Sequence, residues 1–250
     1  MDAGTVGSVI AAWFSKVVEG FTRAAPLEVS WPAVLLIAAA AGLLTVPRAV
    51  WRWFGLFVTF VHELGHAFAA LMTGQVVKGI QLHFDHSGQM RSMGRSRAAA
   101  AWTGFWGYPV PAVVGALLVW AAFNGWAGFA LSAGALILLG ALLFIRNAQG
   151  LLIAGSCAAV SVLLVWFASP ATVSGTTLGL GLALLAGAVR DWLNVLSVHT
   201  RRRRSLQSSD AFILYQRTGV PSALWLAAFA AVIAASAAAA LWWAWLASSS

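Results

Sequence analysis

Charge is what this sequence has least of. Among 250 residues there are 15 Lys and Arg and 7 Asp and Glu, so 9% are charged, against roughly a quarter in a soluble domain. That shortage excludes an ordinary water-soluble globule, whose surface needs more polar material, and the 61% of hydrophobic residues fall in long runs separated by short polar stretches. Cysteine is nearly absent. Cys157 stands alone in an apolar run, which rules out an internal disulfide and reads as a small buried thiol rather than a nucleophile. An apolar leader is missing too: the first thirty residues carry Asp2, Lys16, Glu19, Arg23 and Glu28 with no long apolar stretch, so no cleavable signal peptide is expected. Neither an internal repeat nor a soluble domain is evident.

What is present is a set of apolar segments. Seven are expected to cross a bilayer, which needs about 20 apolar residues per helix: 32–46, 53–73, 98–123, 127–145, 149–168, 177–197 and 220–246. Ahead of them Val9, Ile10, Trp13, Phe14, Val17, Val18 and Phe21 recur at helical spacing, predicting an amphipathic segment over 1–30 at the membrane surface. The fold expected is an all-α polytopic membrane protein with residues 31–250 as one membrane-embedded domain.

The net charge of +8 suggests nucleic acid only superficially, because the basic residues lie in loops between spans. With seven spans, thirteen Lys and Arg fall on one side and two, Arg48 and Arg52, on the other. The positive-inside rule then puts the N-terminus in the cytoplasm and the C-terminus outside. The run Arg201–Arg204 suits anionic headgroups, His199 before it reads as a solvated loop residue, and Trp242, Trp243 and Trp245 suit the far interface.

The second segment carries His62-Glu63-Leu64-Gly65-His66. Residues four apart share a helix face, so the two imidazoles can reach one metal ion. Zinc takes neutral imidazole nitrogens, and a catalytic zinc keeps a position for water, from which Glu63 can take a proton. At this chain's His and Glu frequencies, chance produces the pattern roughly once in a thousand such sequences. Polar groups inside an apolar helix are costly and functional by default. A catalytic zinc usually has three protein ligands; Asp85, Asp191 and Asp210 are the candidates for the third.

Ile80, Leu82 and Phe84 alternate with Gln81, His83 and Asp85, predicting a half-buried strand that turns at 85–88 and returns over 89–92. Such an edge could take up an unwound substrate as an added strand. Asn147 is a candidate to orient a substrate carbonyl or stabilise an oxyanion, or else to cap the end of the fourth span.

Together, His62-Glu63-Leu64-Gly65-His66-Ala67, Gly79–His83 with Ser87-Gly88, Gly107-Tyr108 with Pro111, Arg146-Asn147 with Gly150, and Ser209-Asp210-Ala211 with Thr218–Pro221 resemble the motifs of membrane metallopeptidases related to site-2 protease, in a B-like branch of that family. The resemblance implies a zinc endopeptidase that cuts membrane-protein substrates, single-span ones foremost, near the cytoplasmic face, with a zinc-activated water and Glu63 as general base. It favours Asp210 as third ligand beside His62 and His66. The proper site-2 proteases carry their aspartate in an asparagine/leucine–proline–aspartate–glycine type motif, which this chain lacks. A non-proteolytic scaffold binding membrane partners is the alternative reading, and a transporter a further one, disfavoured by the sparse intramembrane charge.

Overall fold

The computed structural model describes residue 15 and residues 18–27, 29–94 and 96–249. Most of the expected amphipathic segment over 1–30 lies outside them. The order is α1 (Trp31–Thr45), α2 (Arg48–Met72), β1 (Val76–Leu82), β2 (Gly88–Met93), α3 (Arg97–Phe105), α4 (Pro109–Phe123), α5 (Ala127–Leu142), α6 (Ala148–Phe167), α7 (Pro170–Thr200), a 3₁₀ turn (Arg203–Ser208), α8 (Asp210–Thr218) and α9 (Ser222–Ser249).

Each of the seven apolar segments is helical, but they do not form seven equivalent spans. Four helices, α2, α6, α7 and α9, are long and apolar enough to cross a membrane. A fifth counts if α3 and α4 are taken together, bent by 55° at their junction; α1 and α5 are shorter apolar helices. The sequence reading treats 98–123 as one continuous span, and the structure breaks it at Trp106–Tyr108. Pro109 explains the break. It has no amide to give the preceding turn and it sits at the start of α4, where a proline is tolerated.

Helix α4 packs along α7 and against α9, and α5 pairs with α6. The α4–α7 crossing is close because two glycines meet there. A Cβ on Gly115 would lie 2.6 Å from the Gly181 carbonyl oxygen, and one on Gly181 2.7 Å from that of Gly115. Small residues at a crossing let backbones approach where lipid gives no hydrophobic drive to associate.

A hairpin forms about the expected turn, but β1 begins at Val76 and ends at Leu82, short of Phe84 and Asp85; β1 and β2 are antiparallel with Ile80 opposite Met90. A further segment joins it: the Ile80 amide donates to the Phe144 carbonyl and the Arg146 amide to the Ile80 carbonyl, 2.8 and 2.9 Å. Asn147 continues this edge. Its Nδ2 donates to the Leu82 carbonyl at 2.6 Å and its Oδ1 accepts the Leu82 amide at 3.2 Å. Since Ile80 turns its polar groups toward 144–146, its partner Met90 turns its own the other way, toward α2. At the tip, Asp85 accepts from the Ser87 hydroxyl and amide at 2.6 and 2.9 Å. These bonds hold its carboxyl below the usual carboxylate range.

A leucine at Gly181 must push α4 and α7 apart. Gly181→Leu is expected to cost about 1–3 kcal/mol, read as a lower melting temperature in detergent, whereas the same change at Gly134, where no atom lies within 4 Å of a Cβ, should leave melting close to wild type.

Candidate metal centre

His62 and His66 lie one turn apart on α2, and Asp210 is the first residue of α8. The fold brings the three together. His62 Nε2 is 3.1 Å from His66 Nε2 and 3.1 Å from Asp210 Oδ2, and His66 Nε2 is 3.3 Å from the same oxygen. Three ligand atoms thus form a near-equilateral triangle. Donors about 2.0–2.1 Å from a tetrahedral zinc would be spaced by about 3.3 Å.

The surroundings fix this triangle. His66 Nδ1–H donates to the Thr103 carbonyl at 2.7 Å, which leaves Nε2 with its lone pair facing the other two atoms. Thr103 is held in turn by Gln75, whose Nε2 donates to the Thr103 hydroxyl at 2.6 Å while its Oε1 accepts from Ser92 of β2 at 2.9 Å. Tyr108 meets the His62 ring edge-on, centroids 4.7 Å apart, and stacks on Phe229. Ser209, just before Asp210, is bonded to His199 Nε2 at 2.8 Å. His199 is therefore not the solvated loop residue expected but part of the last turn of α7, holding the entry to α8. Burial works to raise the Asp210 carboxyl, but when His66 and His62 carry a second proton their charge and hydrogen bonds override it and hold it well below the usual range.

Zinc fits here on three observations. The donor set is two imidazole nitrogens and a carboxylate oxygen, all within 4.8 Å of one another. The broken α3–α4 corner leaves room beside them: a Cβ on Gly107 would lie 2.5 Å from both His62 Nε2 and His66 Nε2. Glu63 is buried next to them, and its Oε2 has no hydrogen-bond partner, which an orphaned carboxylate oxygen tolerates only at a cost.

These groups open onto a cavity of about 520 Å³ whose wall includes His62, Glu63, Asp210, Tyr108 and the hairpin tip from Asp85 to Gly88. A Cβ on Gly88 would collide with the Glu63 carboxylate, and the Met90 backbone faces the same group, so the outer edge of β2 runs past it. His86 is half-buried at the tip and packs on Trp51, ring centroids 5.9 Å apart; burial lowers its basicity.

Of the other candidates, Asp85 and Asp191 line the cavity but do not join the converging triangle. Asn147 does not line it. Both ends of its carboxamide are taken by Leu82, and it precedes α6 rather than ending a span, so it neither faces the candidate centre nor caps the fourth apolar segment. Gln75, Thr103 and Gly107 escaped the sequence reading as parts of the site. A polar residue directly after Thr73-Gly74 and a glycine two before Pro109 were the available signals.

A helix-borne His-Glu-x-x-His pair joined by an aspartate, among apolar helices, is a donor set that could hold a metal ion. A family model described as Peptidase M50B-like matches residues 34–242, and the chain belongs to that family. Membership points to a membrane metallopeptidase, and M50 peptidases in general use zinc. Comparison with curated proteins and with solved structures finds no match.

Gly107→Ala tests the space beside the triangle. Its methyl would occupy the position facing both imidazoles, so zinc affinity measured by competition with a chelator should fall about tenfold or more, with helix content unchanged by circular dichroism.

Proposed function

We propose that this chain is an intramembrane zinc metalloprotease that hydrolyses peptide bonds of membrane-protein substrates near the cytoplasmic face, with His62, His66 and Asp210 as ligands and Glu63 as general base. The observation that carries the reading is the 3.1–3.3 Å triangle of His62, His66 and Asp210 atoms with the unpartnered Glu63 Oε2 beside it. Zinc bound there supplies a Lewis acid that polarises a carbonyl and makes water acidic near neutral pH. Glu63 Oε2 takes the proton from the attacking water and returns it to the leaving amine. Thr103 holds the His66 tautomer throughout. The outer edge of β2 supports binding of the substrate as an extended strand; a peptide bond within an intact helix is shielded, so the substrate must unwind to reach Glu63.

The orientation belongs to the same proposal. Arg190 is tied to the end of α1; the other basic residues divide twelve to two over seven crossings, which supports an N-terminus in the cytoplasm, a C-terminus outside and His66 on the cytoplasmic side of His62. For all seven apolar helices to cross, the short α1 and α5 must do so where the bilayer thins locally.

Glu63→Gln should keep its zinc and lose about 10²–10⁴-fold in the rate of cleavage of a model single-span substrate in detergent micelles. Undiminished cleavage would remove Glu63 as the base; capture of membrane partners unaffected by the change, with no cleavage even by wild type, would favour a scaffold. In the same preparations Asp210→Ala should lose zinc as completely as His66→Ala. Zinc retained in Asp210→Ala alone would move the third ligand to Asp191 or Asp85.

A further inference from the structure

Asp191 lies on α7 and lines the same cavity as His62, Glu63 and Asp210, yet the triangle does not include it. Among the described residues its carboxylate has no hydrogen bond and no ion pair. His62 and Arg190 act on it through space without a direct bond; the Arg190 guanidinium donates to the carbonyls of Thr45 and Val46 at the end of α1 and stacks over Trp51, 4.5 Å from the ring centroid. Arg202, further along the chain, is bonded to Asn194 and Ser197 and does not line the cavity. A carboxylate left without a partner in an apolar bundle is expensive and is retained for a purpose.

The charge balance of the cavity indicates which purpose. Its wall holds four carboxylates, Glu63, Asp85, Asp191 and Asp210, and one obligate cation, Arg190. A divalent metal held by the triangle would offset Glu63 and Asp210. Asp85 is satisfied at the hairpin tip by Ser87. Asp191 is left as the negative group of the cavity wall that no described residue bonds directly.

We infer that Asp191 forms a subsite for a cationic side chain, a lysine or arginine of the substrate close to the bond that is cut. This rests on the proteolytic reading above and adds a specificity to it. The substrate chemistry is consistent with a cut near the cytoplasmic end of a spanning helix, because that is where lysine and arginine flank membrane segments. A long cationic side chain would reach Asp191 while its backbone lies along β2.

The test uses the full chain in detergent, loaded with zinc, and model single-span peptides identical except for one Lys, Gln or Glu walked through the positions at the cytoplasmic end. Binding is read directly with the Glu63→Gln protein and cleavage with wild type. At one position Lys should bind tighter than Glu by about tenfold, and adding Asp191→Asn should bring that ratio close to one while the zinc content stays at the level of the parent. Equal binding of Lys and Glu peptides by the parent protein at every position overturns the inference without any variant. So does a preference that survives Asp191→Asn, or loss of zinc from that variant, which would put Asp191 among the ligands. Lysine-selective binding with no cleavage by wild type would sink the proteolytic reading and leave the subsite standing.

Discussion

Three electron-rich atoms held 3.1–3.3 Å apart inside an apolar bundle are the constraint around which this molecule is built. Without a cation between them, or protons shared among them, they would repel and the helices bearing them would separate. Two of the atoms come from one turn of α2, so their spacing is local. The third comes from α8, almost 150 positions further along the chain, and its approach depends on α3, α7 and the turn before α8. Thr103 on α3 anchors His66, and His199 on α7 anchors Ser209, so each side of the triangle is tied to an element that carries no ligand.

The broken helix α3–α4 has a double part in this. Its 55° bend places a backbone segment without a side chain at Gly107 over both imidazoles, and it directs the Thr103 carbonyl at His66. A straight helix over 98–123 would present a side chain, not an open space, to the nitrogens. The bend also sets α4 against α7 so that Gly115 and Gly181 touch backbone to backbone. Through that contact the position of α7, and with it Asp191 and His199, is coupled to the corner that frames the triangle.

How much of this was legible in the residues depends on the range over which each signal acts. His62, Glu63 and His66 are recognisable because helical periodicity puts i and i+4 on one face whatever the rest of the chain does. The hairpin over 76–93 is likewise local, given by alternation and a turn at Asp85–Gly88. Choosing among Asp85, Asp191 and Asp210 requires knowing which helix enters the centre, and no local rule states that; only the family resemblance favoured Asp210. The role of Asn147 lies beyond local rules for the same reason. Its carboxamide imitates a strand and completes β1 at Leu82, a pairing across 65 positions that hydropathy does not encode. The bend was available in principle from Pro109 and Pro111, but apolarity runs unbroken through 98–123, and length of apolar sequence dominates any reading of spans. The same dominance makes α1 and α5 read as equals of α2 and α7.

The hairpin links substrate to metal more directly than its size suggests. Gly88 of β2 packs on the carboxylate of Glu63, and Ser92 of the same strand donates to Gln75, which donates to Thr103, whose carbonyl receives His66. A strand added at the outer edge of β2 would therefore press on the base at one end and on the support of a ligand at the other. Each link is short and buried or partly buried, so displacement at Ser92 has few ways to dissipate before it reaches the imidazole. In the proposed enzyme this gives a physical reason why unwinding and chemistry belong to one event: the extended backbone that exposes a peptide bond is also the shape that fits the edge whose far side holds Glu63 and His66 in place. A helical segment offers no such edge and would leave the two groups in their resting arrangement.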